Sequence, residues 1–271
     1  MAITIRGNGV TDENHPLFSR VEHNRTADGV VHQIETLILD GVLRDGDRLP
    51  GERDLAQRLD VSRPILREAL KELETRGLLA STHGGGTFVA DIVGQIFSRP
   101  LAELIARHER ATQDYLDYRR EMEGLTAELA ARRATATDRA ILTAIVERMR
   151  AAHESGSFEE ELATDIELHN AIGEAAHNIM LMHTLRACYR LLTQGIFFHR
   201  QMVFNTPGAR DRLLCQHVAI HDAILAGDPA AARRAAEAHI DYIVETMRET
   251  QRNGEWARIA RLRLLQRETR A

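Results

Sequence analysis

Apolar residues recur along this chain at helical spacing almost throughout. Val30, Val31, Ile34, Leu37 and Ile38 share one face of a helix that Asp40 and Gly41 stop. A turn-rich stretch, 43–51, follows, and Leu55 and Leu59 mark a short second helix. Asp60 and Val61 turn the chain, and Ser62 caps a third helix carried by Ile65, Leu66, Leu70 and Leu73. Helix, short turn, helix is the order of a helix-turn-helix. Residues 78–80 and 87–89 then read as two short strands around a glycine-rich tip, 81–86, which predicts a wing. Farther along only the helical period remains: Tyr118, Met122, Leu125, Leu129; Ile141, Ile145, Met149; Met182, Leu185, Tyr189, Leu192, Ile196; Ile240, Ile243, Val244, Met247.

This pattern predicts a mainly α protein, an N-terminal winged helix-turn-helix followed by a C-terminal antiparallel helical bundle of four to seven helices. The expected division is a flexible arm over 1–25, a DNA-binding domain over 26–92, a linker over 93–112, an all-helical sensing domain over 113–250 and a polar, frayed tail over 251–271. Ligand sites in bundles lie in the core between facing helices.

A length of 271 residues accommodates two cores, and 44% hydrophobic with 4% aromatic residues suits aliphatic, helix-rich packing. No stretch approaches a membrane span, and residues 1–15 are polar, unlike a secretory signal or anchor. The two cysteines, Cys188 and Cys215, then predict free buried thiols in a reducing cytoplasm.

The net charge of −5 argues mildly against nucleic-acid binding, and between Arg44 and Arg76 eight cations face eight anions. Affinity for DNA must therefore come from how the arginines are arranged, doubled in a homodimer. The second helix of a helix-turn-helix enters the major groove with its N-terminal residues on base edges. Arg63 and Arg67, four apart, share that face, and a guanidinium grips guanine bidentately. The helix start at Ser62 favours a phosphate, as does Arg53, and the wing residues His83, Gly84, Gly85 and Thr87 reach a minor groove. The competing reading has Arg63 and Arg67 solvating a surface helix beside Glu68 and Glu72.

The runs 49–56 (Leu-Pro-Gly-Glu-Arg-Asp-Leu-Ala) and 61–70 (Val-Ser-Arg-Pro-Ile-Leu-Arg-Glu-Ala-Leu), then Leu73-Glu74 and Gly77-Leu78, decide between these readings. Over roughly 26–90 the chain resembles the GntR family of winged-helix repressors. The resemblance implies that Arg53, Arg63, Arg67 and the wing glycines contact operator DNA, and that dimers bind short palindromes. Gly51 stands where the family usually has a capping serine; glycine caps nearly as well.

In the sensing domain Asp165 and His169 lie four apart on one helix face and can grip one metal ion together, with His217 and His239 on later helices. Such a set suits Zn, Ni or Mn. Spacing alone leaves His221 an equal alternative to His217, and leaves each histidine open to a hydrogen-bonded core role. Over about 113–248 the chain also resembles the FCD domain, the helical sensor of the FadR branch of the same family. The matching pieces are 119–123, 130–134, 165–169, Asn178-Ile179, 217–224 and 226–232 leading to His239. The resemblance maps one divalent metal onto Asp165, His169, His217 and His239, with Leu168 replacing a usual phenylalanine, and points away from fatty acyl-CoA. It further implies a small carboxylate effector at the metal, with Arg119 as counter-charge and Asn178 nearby. The competing reading has Arg119 in a salt bridge with Glu123 four residues on, and both roles can hold, one side of the guanidinium serving each. Residues 178–183 resemble lactate, glycolate and pyruvate regulators, so a hydroxy or keto acid leads, with sugar acids such as gluconate as the alternative.

A metal-dependent enzyme with a DNA-binding appendage is the rival class. It lacks support: there is no H-E-x-x-H, no G-x-S-x-G and no phosphate loop, and Glu167 faces away from both flanking ligands. A third reading makes the bundle a structural dimerisation domain that senses nothing.

Overall fold

The computed structural model describes residues 26–82, 85–92, 99–194, 203, 204 and 206–268, in two compact units, Met1–Ile92 and Val93–Ala271. The wing residues His83 and Gly84 and the 1–25 arm lie outside the described residues.

In the first unit, α1 (Ala27–Leu39) starts at Thr26, whose hydroxyl accepts from the Gly29 N–H at 3.4 Å. It buries Val30, Val31, Ile34 and Ile38 and packs against α3 (Arg63–Thr75). Between them α2 (Glu52–Leu59) starts at Gly51 without a side-chain cap and ends at Asp60, in the left-handed region at φ 54°. Asparate-type side chains tolerate that region, so the chain reverses at once. Ser62 then caps α3, accepting from the Ile65 N–H at 3.5 Å, and Pro64 sits in the first turn, where no N–H is needed. Leu66, Ala69, Leu70 and Leu73 close the core over Leu55 and Leu59.

The wing strands β1 (Leu79–Thr82) and β2 (Gly86–Val89) pair antiparallel, with Leu79 opposite Val89 and Thr82 opposite Gly86. The hairpin is thus longer, and its tip shorter, than the alternation predicts. Part of the stretch read as turn forms a third edge. The Leu49 N–H donates to Thr87 O and the Val89 N–H to Asp47 O, both at 2.9 Å, around a bridge between Arg48 and Phe88. Gly86, at φ +106°, allows this approach, since a Cβ there would stand 2.9 Å from Arg48 Nε.

The second unit is helical among its described residues: α4 (Arg99–Arg107), α5 (Glu109–Arg133), α6 (Ala136–Ser155), α7 (Phe158–Ala175), α8 (Ile179–Gln194), α9 (Ala209–Leu225) and α10 (Pro229–Glu268). Thr135 and Asp138 form a reciprocal capping box on α6, and the Asp228 carboxylate caps α10 through the Ala231 N–H at 2.9 Å. The stretch read as linker contains α4, with Pro100 in its first turn, and the start of α5. The tail expected to fray instead continues α10 to Glu268, with nearly all of it exposed. Its Arg, Ala, Leu and Glu residues are good helix formers, and extending a nucleated helix is easy. Cys188 is buried, but Cys215, expected inside, is exposed. No helix among the described residues is long and apolar enough to cross a membrane.

Two apolar cores divide this unit. One gathers Ala127, Leu142, Leu168, Ile172, Ile220 and Ala236; the other gathers Tyr115, Leu116, Leu185, Tyr189, Leu213 and Met247. Helices α5, α7, α9 and α10 contribute to both. Each of the four also carries buried polar residues: Arg119 and Glu123, Asp165 and His169, His217, and His239.

Candidate metal centre and DNA-reading surface

These polar residues meet. One ligand atom from each of Asp165, His169, His217 and His239 lies within 4.8 Å of the others, and all four side chains are buried. His217 Nε2 stands 3.0 Å from Asp165 Oδ1 and 3.3 Å from His169 Nε2. Nitrogens about 2.0–2.1 Å from one tetrahedral ion are about 3.3 Å apart, so the two His217 contacts match that spacing, while the whole set is grouped within 4.8 Å.

The surroundings aim these donors. His169 Nδ1 is 2.9 Å from Glu123 Oε2, and His239 Nδ1 is 3.1 Å from Gln216 Oε1. A carboxylate and an amide oxygen only accept, so a proton on each Nδ1 would satisfy these contacts and would leave both Nε2 lone pairs for an ion. Burial, then the neighbouring His217 and His169, hold the His239 pKa well below its ordinary value, so it is neutral and ready to ligate. Burial alone would raise the Glu123 carboxyl; the Arg119 guanidinium beside it and His169 outweigh that and hold it well below the usual carboxylate range.

Arg119, expected as the effector's counter-charge, is itself buried. Its Nε and Nη2 donate to Glu123 Oε1 at 2.8 and 2.6 Å, and Nη2 donates to the Tyr189 hydroxyl at 2.8 Å. The Tyr189 ring in turn stacks on His169 at 4.8 Å. Arg119 thus reaches the cluster through Glu123. Asn178 caps α8, its Oδ1 accepting from the Leu181 N–H at 3.1 Å, and lines neither cleft beside the cluster. His221 stands apart, Nε2 on Thr143 Oγ1 at 3.0 Å and Nδ1 on Asp222 at 2.8 Å. Glu167 pairs with Arg148 at the surface. Sequence reasoning missed Glu123, Tyr189 and Gln216 as supports. Only Glu123 carried a signal, its place four residues after Arg119.

In the first unit the guanidinium groups of Arg63 and Arg67 converge on one carboxylate, Glu52, at 3.7 and 2.7 Å, with both arginines more than half exposed. Glu72, which the competing reading set beside them, pairs with Arg76. Arg53 is exposed on α2, and Ser62 is engaged as the α3 cap. Thr87 Oγ1 lies 3.0 Å from Ser81 Oγ, and a Cβ on Gly85 would collide with Thr82 Oγ1 at 2.1 Å. Exposed ion pairs are worth about 0–1 kcal/mol, so Glu52 holds the two arginines only weakly. Arg63→Ala and Arg67→Ala are each expected to lose about 1–3 kcal/mol of discrimination between operator and random DNA with unchanged far-UV dichroism. A gel-shift titration showing unaltered discrimination in both would refute a recognition role for α3.

A helix-turn-helix with a wing, followed by an all-helical domain holding a buried polar cluster, defines a class of transcription regulators. Residues 26–89 match "Bacterial regulatory proteins, gntR family" and residues 114–242 match the FCD domain. The "Putative L-lactate dehydrogenase operon regulatory protein" of Escherichia coli K12 is 37% identical over 246 residues, 88% of this chain and 93% of the relative. The "Glc operon transcriptional activator" of the same strain is 37% identical over 171 residues, 62% of this chain and 67% of the relative. Among solved structures, "Streptococcus agalactiae GntR" superposes with a TM-score of 0.52 at 27% identity, covering 80% of this chain and 98% of its own. The chain belongs to the GntR family, as a DNA-binding transcription regulator with an FCD domain, and is not an enzyme.

Proposed function

We propose that this regulator is a homodimeric repressor whose grip on a short palindromic operator is controlled by a small hydroxy or keto acid, such as lactate, glycolate or pyruvate. The acid binds at one divalent metal, Zn, Ni or Mn, held by Asp165, His169, His217 and His239. The observation that carries this reading is the convergence of those four buried side chains, with His169 and His239 turned inward by Glu123 and Gln216. The mixed nitrogen and oxygen donors suit such an ion, which supplies a Lewis-acid anchor for a carboxylate when bound. The lactate and Glc operon names of the relatives support the acid class.

Effector binding alters DNA affinity by favouring one arrangement of the two winged helices in the dimer. Two copies also supply the contacts that one charge-balanced surface lacks. Sedimentation is expected to show a dimer; a monomer that binds operator tightly would contradict this. The functional test uses an operator selected from a random DNA pool. Its Kd for metal-loaded protein is measured with L-lactate, glycolate, pyruvate and gluconate, before and after chelation. A shift with one of the first three acids that vanishes on chelation is expected. A response confined to gluconate replaces the acid class with sugar acids, and no response to any of the four overturns the sensing role.

A further inference from the structure

The two helices that carry three of the four cluster residues are also tied together near their starts. Glu161, in the first turn of α7, lies one turn before Asp165; Arg210, in the first turn of α9, lies two turns before His217. Arg210 Nε stands 3.1 Å from both Glu161 oxygens, and its Nη2 closes on Oε1 and donates to the His153 carbonyl at 3.4 Å. His153, at the end of α6, places Nδ1 3.4 Å from Glu161 Oε1 and Nε2 2.8 Å from Asp211. Glu161 is nearly buried, whereas Arg210 remains 37% exposed. Glu161, His153, Thr164 and Arg210 line a cleft that also reaches Asp165 and His217.

A guanidinium gripping a carboxylate through two nitrogens presents the geometry that any carboxylate ligand needs. Here the occupant is the protein's own Glu161. The cation is 37% exposed, so a ligand in the cleft can reach it from the solvent side. Arg119, by contrast, is buried and bound to Glu123 and Tyr189. An acid arriving through this cleft therefore meets Arg210 beside two of the cluster residues.

We infer that Arg210 is the specificity-determining cation of the sensor, and that an effector entering between α6, α7 and α9 displaces Glu161 from it with its carboxylate. This rests on the proposed acid-sensing role. Exchange unties the start of α7 from the start of α9, which gives ligand binding a mechanical consequence in the domain that holds the metal.

The test is calorimetric titration of full-length, metal-loaded protein with L-lactate, glycolate and pyruvate, with metal content measured in parallel. Glu161→Gln removes the charged competitor and is expected to tighten the responding acid about fivefold or more. Arg210→Gln is expected to weaken it about tenfold or more with metal content unchanged. Arg210→Lys recovers only part of that loss, because an ammonium lacks the fork. If the pair only stitches the helices together, both substitutions weaken binding in the same direction and lower Tm, and the inference fails. It also fails if both variants titrate like the parent. If the parent itself takes up none of the three acids, the acid-sensing reading fails and this inference with it.

Discussion

Arg119→Met is expected to destabilise the helical unit by about 3–5 kcal/mol, as removing one partner of a buried ion pair does. The substitution leaves the Glu123 carboxylate in the interior without the guanidinium that its Oε1 now binds. It also frees the Tyr189 hydroxyl and loosens the carboxylate that orients His169, and loss of such a support weakens metal affinity by about 10- to 100-fold. Urea unfolding followed by dichroism measures the first effect and a chelator competition the second. The double variant Arg119→Met, Glu123→Gln removes both charges and is expected to regain most of the stability but not the affinity. Wild-type stability and metal affinity in Arg119→Met would show that the pair is not the support described.

Chelation is the second large effect. A ligand bound to the folded state alone stabilises it by about 2.7 kcal/mol at a hundredfold excess over Kd. For a unit of this size that is a fall of about 5–10 °C in Tm when the metal is withdrawn. His217→Ala should remove this sensitivity, since it deletes a donor 3.0 Å from Asp165 and 3.3 Å from His169. His221→Ala should keep it, because both of its ring nitrogens are engaged by Thr143 and Asp222. Equal behaviour of the two variants in a thermal melt with and without chelator would contradict the assignment.

Local periodicity made the helices legible. Caps such as Ser62, Thr135 and Asp228 and the reversal at Asp60 act within a few residues, so their signals are written beside the elements they shape. Asp165 and His169 were visible for the same reason, as neighbours on one helix face. What joins distant segments was not. Glu52 lies fifteen residues before Arg67 and meets it only because the turn between α2 and α3 folds one helix start onto the other. The bridge at Arg48 has no period of its own, and its pairing is set by β2. Tyr189 and Gln216 support the cluster from α8 and α9, and their roles arise from packing rather than spacing. The charge run at the tail reads as a solvated helix end, and the helix does run on through it; only the fraying expected there is absent, because a solvated stretch of helix formers can continue a long helix.

Four buried side chains from three helices are proposed to hold one metal ion. Elemental analysis of the full-length protein, purified without added metal and compared with His217→Ala, tests it most directly. The expected result is one divalent ion per chain in the parent and none in the variant. A parent that carries no stoichiometric metal and cannot be loaded with zinc, nickel or manganese would contradict it.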